Sequence, residues 1–592
     1  MPFRLAEIPV EVLLDNFLPL LAVPDLNNLG STNRFFYDLC NDSTFWKRRI
    51  QEDFNFPCDD TARSSGWKFI YRGLTNPHAY VWGESSKGRL GMPNIGRAIV
   101  GDVPWPVQLQ IGRPGVRIVN LSAAGMSFFA IDSAGNLYAW GMLNGLGFAA
   151  PYNDGYSAPE KVALRPMRLQ LPAPTHAISC GRLHATILDE NMHIWTFLSF
   201  GRPFQLVTPF LDVGSPQTSP HQVVSGWDFS ATLTKTGGVY VWFPWGQQIS
   251  REIDDHNDIM DREGLRVIEM EEGVIPCATW QLHYDPHRLP DLPSLPSLSC
   301  GSYAKDIRLV KIAAMEHHLV GLTNQGHVVK FCLHGGELSR WTTWEYLPLF
   351  SDPDKIKEQV SSVVPGIQLP DSILITHISA QFSTFVAYST GSSSVVLMGT
   401  KETDPHDRPQ IIPSLQDRKV ISVVIGDYHY GALTSTGKLL TWGGFSRGAL
   451  GLGDPTTIEA GKPGGYADEM QRQTALSHGG PFPPPVTEPT EVRFDHGEKR
   501  RRERFCFAAT AAGWHMGALV IDLEPDDNVD ENEEAVRMPG GFPPSQETSD
   551  RSDVAAPRYP FIMGPSHMSI YRIGFAGRGG VRGSQPPRGR GG

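Results

Sequence analysis

The sequence predicts a mainly β protein: a seven-bladed β-propeller preceded by a small all-α domain and followed by a disordered C-terminal tail. Three observations carry that reading. The 592 residues include 60 glycines and 48 prolines and only 19% charged residues, a turn-rich composition well above the roughly 12% Gly plus Pro of average usage. Beyond residue 75 one pattern returns six times: a β-like run near a small residue, a second run, a turn, and a strand closing on an aromatic or Met. Ahead of it, residues 5–50 show helical periodicity instead of alternation.

In the helical part, Leu13, Leu14, Phe17, Leu18 and Leu21 recur at helical spacing between Ile8 and Leu21, with Glu11, Asp15 and Asn16 between them. This predicts one amphipathic helix. Pro24-Asp25-Leu26 suits the first turn of a second helix, because Pro is tolerated there and Asp complements the macrodipole. Leu26 and Leu29 share its face, and Gly30-Ser31-Thr32 ends it. Asn33 is a cap for a third helix through Phe35, Phe36 and Leu39, and Ser43 or Thr44 for a fourth carrying Phe45-Trp46. Four short helices have more apolar faces than their own core can cover, which points to a face kept for a partner.

The clearest repeat runs from Asn120 through Gly125 and the turn Ala134-Gly135-Asn136 to Trp140-Gly141. Later copies place Gly181 before Trp195, Gly226 before Trp242, Met315 before Phe331, Gln381 before Met398 and Gly426 before Trp442. Gly135, Gly237, Gly326, Gly391 and Gly437 suit the positive φ of tight hairpins, and in the third unit Asn191 takes that place. Two fragments remain and are complementary. Ala79–Gly83 is a second half without a first, and 507–523 a first half without a second. Joined, they make a seventh blade and close the ring, leaving no open edge.

Composition excludes several functions. A net charge of -11 and a pI near 6.0 argue against wrapping duplex DNA, which needs a basic surface. Seven cysteines without a Cys-x-x-Cys pair suggest reduced intracellular thiols, neither a disulfide framework nor a zinc site. Glu7, Glu11 and Asp15 precede the apolar run at 16–24 where a signal peptide needs positive charge, and no run approaches the roughly 18–20 apolar residues that span a bilayer. The expectation is a soluble protein, cytoplasmic or nuclear, with no membrane contact. His317-His318 matches the place of His184 and His429 in other repeats and has no Cys or carboxylate at ligand spacing. With no phosphate loop and no nucleophile elbow, the sequence points to no metal, no cofactor and no catalysis.

Ile8-Pro9-Val10-Glu11-Val12-Leu13, Asp25–Leu29, Ser31–Phe36 and Phe45-Trp46-Lys47 follow in an order that resembles the F-box. The resemblance implies docking onto an Skp adaptor, and through it a cullin and RING subunit, by Ile8, Pro9, Leu13, Leu14, Phe17, Leu18, Leu21, Leu26 and Leu29. The stretch 80–91, Tyr-Val-Trp-Gly-Glu-Ser-Ser-Lys-Gly-Arg-Leu-Gly, echoed at 440–453, resembles repeats of the regulator of chromosome condensation, whose fold is a seven-bladed propeller. The match weakens in the middle, where Thr196-Phe197, Cys332-Leu333 and Gly399-Thr400 stand in place of Trp-Gly. Together the two modules resemble the fungal SCF-associated factor type of F-box protein. This implies a non-catalytic substrate receptor whose propeller holds an unidentified protein for ubiquitination and degradation. Two alternatives stay open: a guanine-nucleotide exchange factor for a Ran-like GTPase, and an interaction scaffold outside any ligase.

The expected organisation is an F-box at 5–50, a connector at 51–75, a propeller at 76–523 with insertions at about 245–306 and 455–504, and a tail at 524–592. The insertions are read as projecting loops, either for target recognition or simply solvated. The tail is acidic over 524–550 and basic over 551–592, a disordered, charge-segregated pattern. Its Arg578, Arg582, Arg588 and Arg590 sit in Arg-Gly tracts suited to weak contact with RNA or to arginine methylation.

Overall fold

The computed structural model describes residues 5, 8–98, 102–144, 155–215, 217–298, 306–333, 343–370, 372–390, 394–478, 481–497 and 502–523. The expected first helix is instead three short turns: α over Val10–Val12, π over Leu13–Phe17 and 3₁₀ over Leu18–Leu20. Pro19 explains the break, since it lacks the N–H that an α-helix would direct back to Asp15. The second helix, Val23–Gly30, carries its proline in the first turn. Asn33 caps the third, Arg34–Cys40, accepting from the Phe36 amide at 3.1 Å. The fourth, Ser43–Phe54, is capped by Asp42, whose Oδ1 accepts from the Phe45 amide at 2.8 Å. The cap therefore lies one or two residues before Ser43 and Thr44. The connector holds a fifth helix, Trp67–Gly73, whose Tyr71 packs edge-on against Trp46 and Phe54.

Seven antiparallel-cored sheets follow. Blade one is the predicted closure: from the axis outward, Arg504–Ala512, His515–Asp522, His78–Gly83 and Val103–Leu109. His78 to Gly83 pair in unbroken register with Val520 to His515, so the two ends of the propeller are joined by a full strand ladder. Blades two to seven begin with inner strands Ile118–Ala123, Thr175–Cys180, Pro220–Ser225, Leu309–Ala314, His377–Gln381 and Val420–Ile425. Alternate side chains fill the spaces between sheets, and Trp82, Trp140 and Trp242 are wholly buried there.

The hairpin glycines Gly135, Gly237, Gly326 and Gly437 all take positive φ. Gly391 lies outside the described residues. In the third unit the left-handed residue is Met192, φ 62°, and not Asn191. The Asp189 carboxylate accepts from the amides of Asn191 and His193, each at 2.9 Å, and this clamp supplies the turn energy a glycine would otherwise spare.

The first insertion neither projects nor is it merely solvated. After a helix over Gln247–Arg262 it adds Val274–Pro276 in parallel to the outer edge of blade two, Trp280–His283 in parallel to blade three, and His287–Arg288 to blade four. Arg202, nearly buried, holds it by donating to Asp261 Oδ1 at 2.6 Å, Asn257 Oδ1 at 3.3 Å and the Leu265 carbonyl at 3.0 Å. The second insertion contributes Val486–Glu491 as the outer strand of blade seven. Edge strands are thereby covered from within the chain.

Candidate functional site

The helical domain places the anticipated adaptor residues at three depths. Leu13, Leu18 and Leu26 are 0% exposed and form its own core with Phe36, Trp46 and Ile50. Ile8, Leu14, Phe17, Leu21 and Leu29 are half-buried against that core, and Pro9 is exposed. The side chains that stand clear are Val10, Val12, Phe35, Tyr37 and Leu20, the last 81% exposed. Apolar spacing marks both the core face and the outer face of short turns, which is why sequence reasoning ranked Leu13 with Phe17 and passed over Leu20.

The stretch between the helices and blade one is docked onto the propeller. Asn55 Nδ2 donates to the Thr175 carbonyl at 2.9 Å, the Ala62 amide to Ile421 O at 2.8 Å, and Arg63 to Ser435 O at 3.3 Å. Lys311 Nζ meets the Asp59 carbonyl. Phe56 packs against Phe507, and Phe69 edge-on against Phe505. These partners come from the leading ends of inner strands in blades one, three, five and seven and from the second hairpin turn of blade seven. Residues 51–60 thus roof a channel of about 420 Å³ lined by the inner strands of blades three to six.

At the other face, four-residue turns join the first and second strands of every blade. Their backbones are stitched together around the axis. The Arg182 amide donates to Gly226 O at 3.2 Å, Trp227 to Glu316 O at 3.4 Å, Glu316 to Phe382 O at 2.7 Å and Asp427 to Gly513 O at 3.1 Å. The second residue of these turns lines the mouth. Arg182 reaches across from blade three to Asp427 of blade seven, 3.1 Å away, with its guanidinium 5.0 Å over the Trp227 ring. Burial pushes the Asp427 carboxyl up, against the pull of Arg182 and Arg89. Trp227, Phe382 and the exposed Tyr428 form an arc of rings with centroids 5.6 and 6.1 Å apart. None of these was singled out from the sequence, although each follows by one or two positions the place where the repeat carries Gly181, Gly226, Gln381 or Gly426.

In five blades the fourth residue of the same turn is a ring: His184, Phe229, His429 and His515 are buried and His318 is half-buried, while Ser127 and Thr384 take the place in blades two and six. The His429 ring lies so close to Gly426 that a Cβ there would sit 2.1 Å from it, so the small residue is obligatory. Burial pulls His184 and His429 down to about 4, which keeps them neutral packing rings. No cluster able to hold a metal is found among the described residues. None of their helices is long and apolar enough to cross a membrane. Arg578, Arg582, Arg588 and Arg590 lie outside the described residues.

A closed ring of seven sheets, three of them carrying Trp-Gly, joined to a small helical domain of F-box order, is similar to a propeller of chromosome-condensation-regulator repeats with an F-box-like head. Similar proteins include F-box and ligase proteins. The chain is 22% identical over 348 residues to SCF-associated factor 1 of Saccharomyces cerevisiae, covering 58% of this chain and 42% of that protein. It is 28% identical over 160 residues to F-box protein pof9 of Schizosaccharomyces pombe, 26% and 30% of the two chains. Over 402 residues it is 23% identical to the human E3 ubiquitin-protein ligase HERC2, 64% of this chain and 7% of that one. The match spans less than half the length of each relative. No protein-family profile matches the chain. Among solved structures, Prp20p of Saccharomyces cerevisiae superposes with a TM-score of 0.46 at 16% identity over 80% of this chain and 95% of that one.

Proposed function

We propose that the chain is the target-binding subunit of an Skp–cullin–F-box ubiquitin ligase, supplying proximity and no catalytic group. The observation that carries this is the placement of the F-box-like helices on one face of a closed propeller, away from the turns at its opposite mouth, in a chain similar to SCF-associated factor 1. The proposed adaptor contacts are Pro9 with the half-buried Ile8, Leu14, Phe17, Leu21 and Leu29, extended by the exposed Val10, Val12 and Leu20. Leu13, Leu18 and Leu26 hold these turns in place from beneath. The test is affinity purification of the intact protein beside Phe17→Glu/Leu20→Glu with the proteasome inhibited. Skp and cullin should accompany the intact chain alone, while proteins recovered with both are target candidates. Adaptor recovered equally with the variant overturns the docking face, and adaptor absent from both samples overturns the ligase assignment.

A further inference from the structure

We propose that the mouth opposite the helices is the target-binding site, and that it takes an extended polypeptide segment through an arginine or lysine side chain. The inference rests on the receptor reading for its biological sense, but its chemistry is read from the mouth itself.

Three features support it. First, the aromatic arc is displayed at a cost. Phe382 sits at φ 50°, a left-handed conformation that is a genuine outlier for a bulky residue and is held only where the surroundings impose it. A glycine would satisfy that turn without strain, as Gly513 does at the equivalent position with the same φ of 50°. The ring is nonetheless placed between Trp227 and Tyr428, and Tyr428 is 58% exposed, so the apolar faces are presented to solvent instead of being folded away.

Second, the charge lining the depression between these turns is unbalanced. Glu316 and Asp427 face a single Arg182, and Asp228 stands beside them, 3.5 Å from His317. Lys401 Nζ pairs directly with Glu316 Oε2 at 2.7 Å, and His317 lies 3.8 Å from Oε1. A further cationic side chain would share Glu316 with Lys401, whereas an acidic one would meet three carboxylates against two fixed cations. Third, the molecule already shows the recognition it would repeat: the Arg182 guanidinium lies over Trp227 while bonded to Asp427, the pairing of ring face and carboxylate that favours Arg. A second cation over Phe382 and Tyr428, reaching Glu316, would use the same chemistry one blade further round.

The backbone bonds around the mouth help to preform the site. The Phe382 turn is tied to Glu316 and the Asp427 turn to Gly513 by amide-to-carbonyl bonds, so each loses little freedom when a ligand arrives and more of the contact energy is available for affinity.

The experiment is fluorescence anisotropy of the full chain with a short labelled Gly-Ser peptide carrying two arginines, beside the same peptide with glutamines and with glutamates. The arginine peptide should bind, more weakly as salt rises, and the other two at least about tenfold more weakly, the range expected of a partly desolvated cation–π contact. Phe382→Gly removes the ring while relieving the backbone, and should lose arginine-peptide binding by a similar factor, its folding checked by the denaturation midpoint. Glu316→Gln is a second, shape-preserving variant with the same expected direction. Equal binding of the three peptides, binding untouched by Phe382→Gly, or no binding at all would each overturn the proposal. Adaptor co-purification with the intact chain is a separate readout: arginine-peptide binding by a chain that recovers no adaptor removes the receptor reading and leaves the site.

Discussion

Blades one, two and seven and blades three and four close the same ring by different means. In the first group the Trp-Gly signature ties each blade to its neighbour. The Trp82 indole N–H donates to Ala449 O of blade seven at 2.7 Å, and that of Trp140 to Arg89 O of blade one at 3.1 Å. The accepting loops share one shape, with Lys87 and Arg447 both near φ 60° and a glycine following each. In the second group Trp195 donates within its own blade, to Asp189 Oδ2 at 3.1 Å, and Trp242 Nε1 finds no partner among the described residues. The outer edges of blades three and four are bound instead by the first insertion, which also adds a strand to blade two. A local device repeated in the sequence has been replaced, where the repeat decays, by one long segment running along several sheets.

The sharpest way to break the first region is Trp82→Ala. It empties a fully buried site beside the closure strands, and the expected loss is about 3–5 kcal/mol, read as a lower denaturation midpoint for the whole propeller in one transition. Two separate transitions would show that the ends and the middle are energetically independent.

Acid probes both regions at once. His184 of blade three and His429 of blade seven are buried and neutral, with folded pKa values of about 4 against an ordinary 6.5. Above pH 6.5 neither state is protonated and stability is intact. Between 6.5 and 4 the unfolded chain takes up the proton first, so each ring costs about 1.4 kcal/mol per pH unit. Thermal melts should therefore fall steeply below pH 6.5. His429→Phe, which copies Phe229 of blade four, should flatten that fall while leaving the midpoint at pH 7 nearly unchanged.

In the second region Arg202→Ala should release the insertion, at a cost of about 2–3 kcal/mol for the lost charged hydrogen bonds. Hydrogen exchange should rise at Val274–Pro276 and Trp280–His283 but not at His78–Gly83. Uniform protection would show that the strap holds by its strands alone. The finest comparison is Trp140→Phe against Trp242→Phe. Both lose the same ring volume, so the extra destabilisation of the first, about 1 kcal/mol, isolates the inter-blade bond, and equal losses would remove its significance.

The ring was legible because its signals are local. Glycine turns recur at fixed spacing, and the halves at 79–83 and 507–523 complement each other without any knowledge of what lies between. What escaped was set by distant parts of the chain. Arg202 gives no sign in sequence that its partners are Asn257 and Asp261, and the edge pairing of Trp280–His283 with Phe204–Val207 is a parallel contact that periodicity cannot register. The mouth residues were hidden for the opposite reason. Arg182, Trp227 and Phe382 share a position in the repeat but no chemical type, so a search for recurring residues passes over them. At the N-terminus the order of anchors suggested the domain, but Pro19 broke the helix that their spacing suggested, and depth of burial separated Leu13 from Leu20.

The docked connector gives the molecule the character of a jig. Were residues 51–66 a free tether, a captured target would sweep a sphere about the adaptor and any surface lysine would in time pass the conjugating enzyme. With Asn55, Ala62 and Arg63 anchored on two blades, the distance and bearing from the helical domain to the mouth are fixed. In the proposed ligase, selection would then operate twice: once on the segment that the mouth accepts, and again on which lysines of the held protein happen to lie within the arc of the transfer.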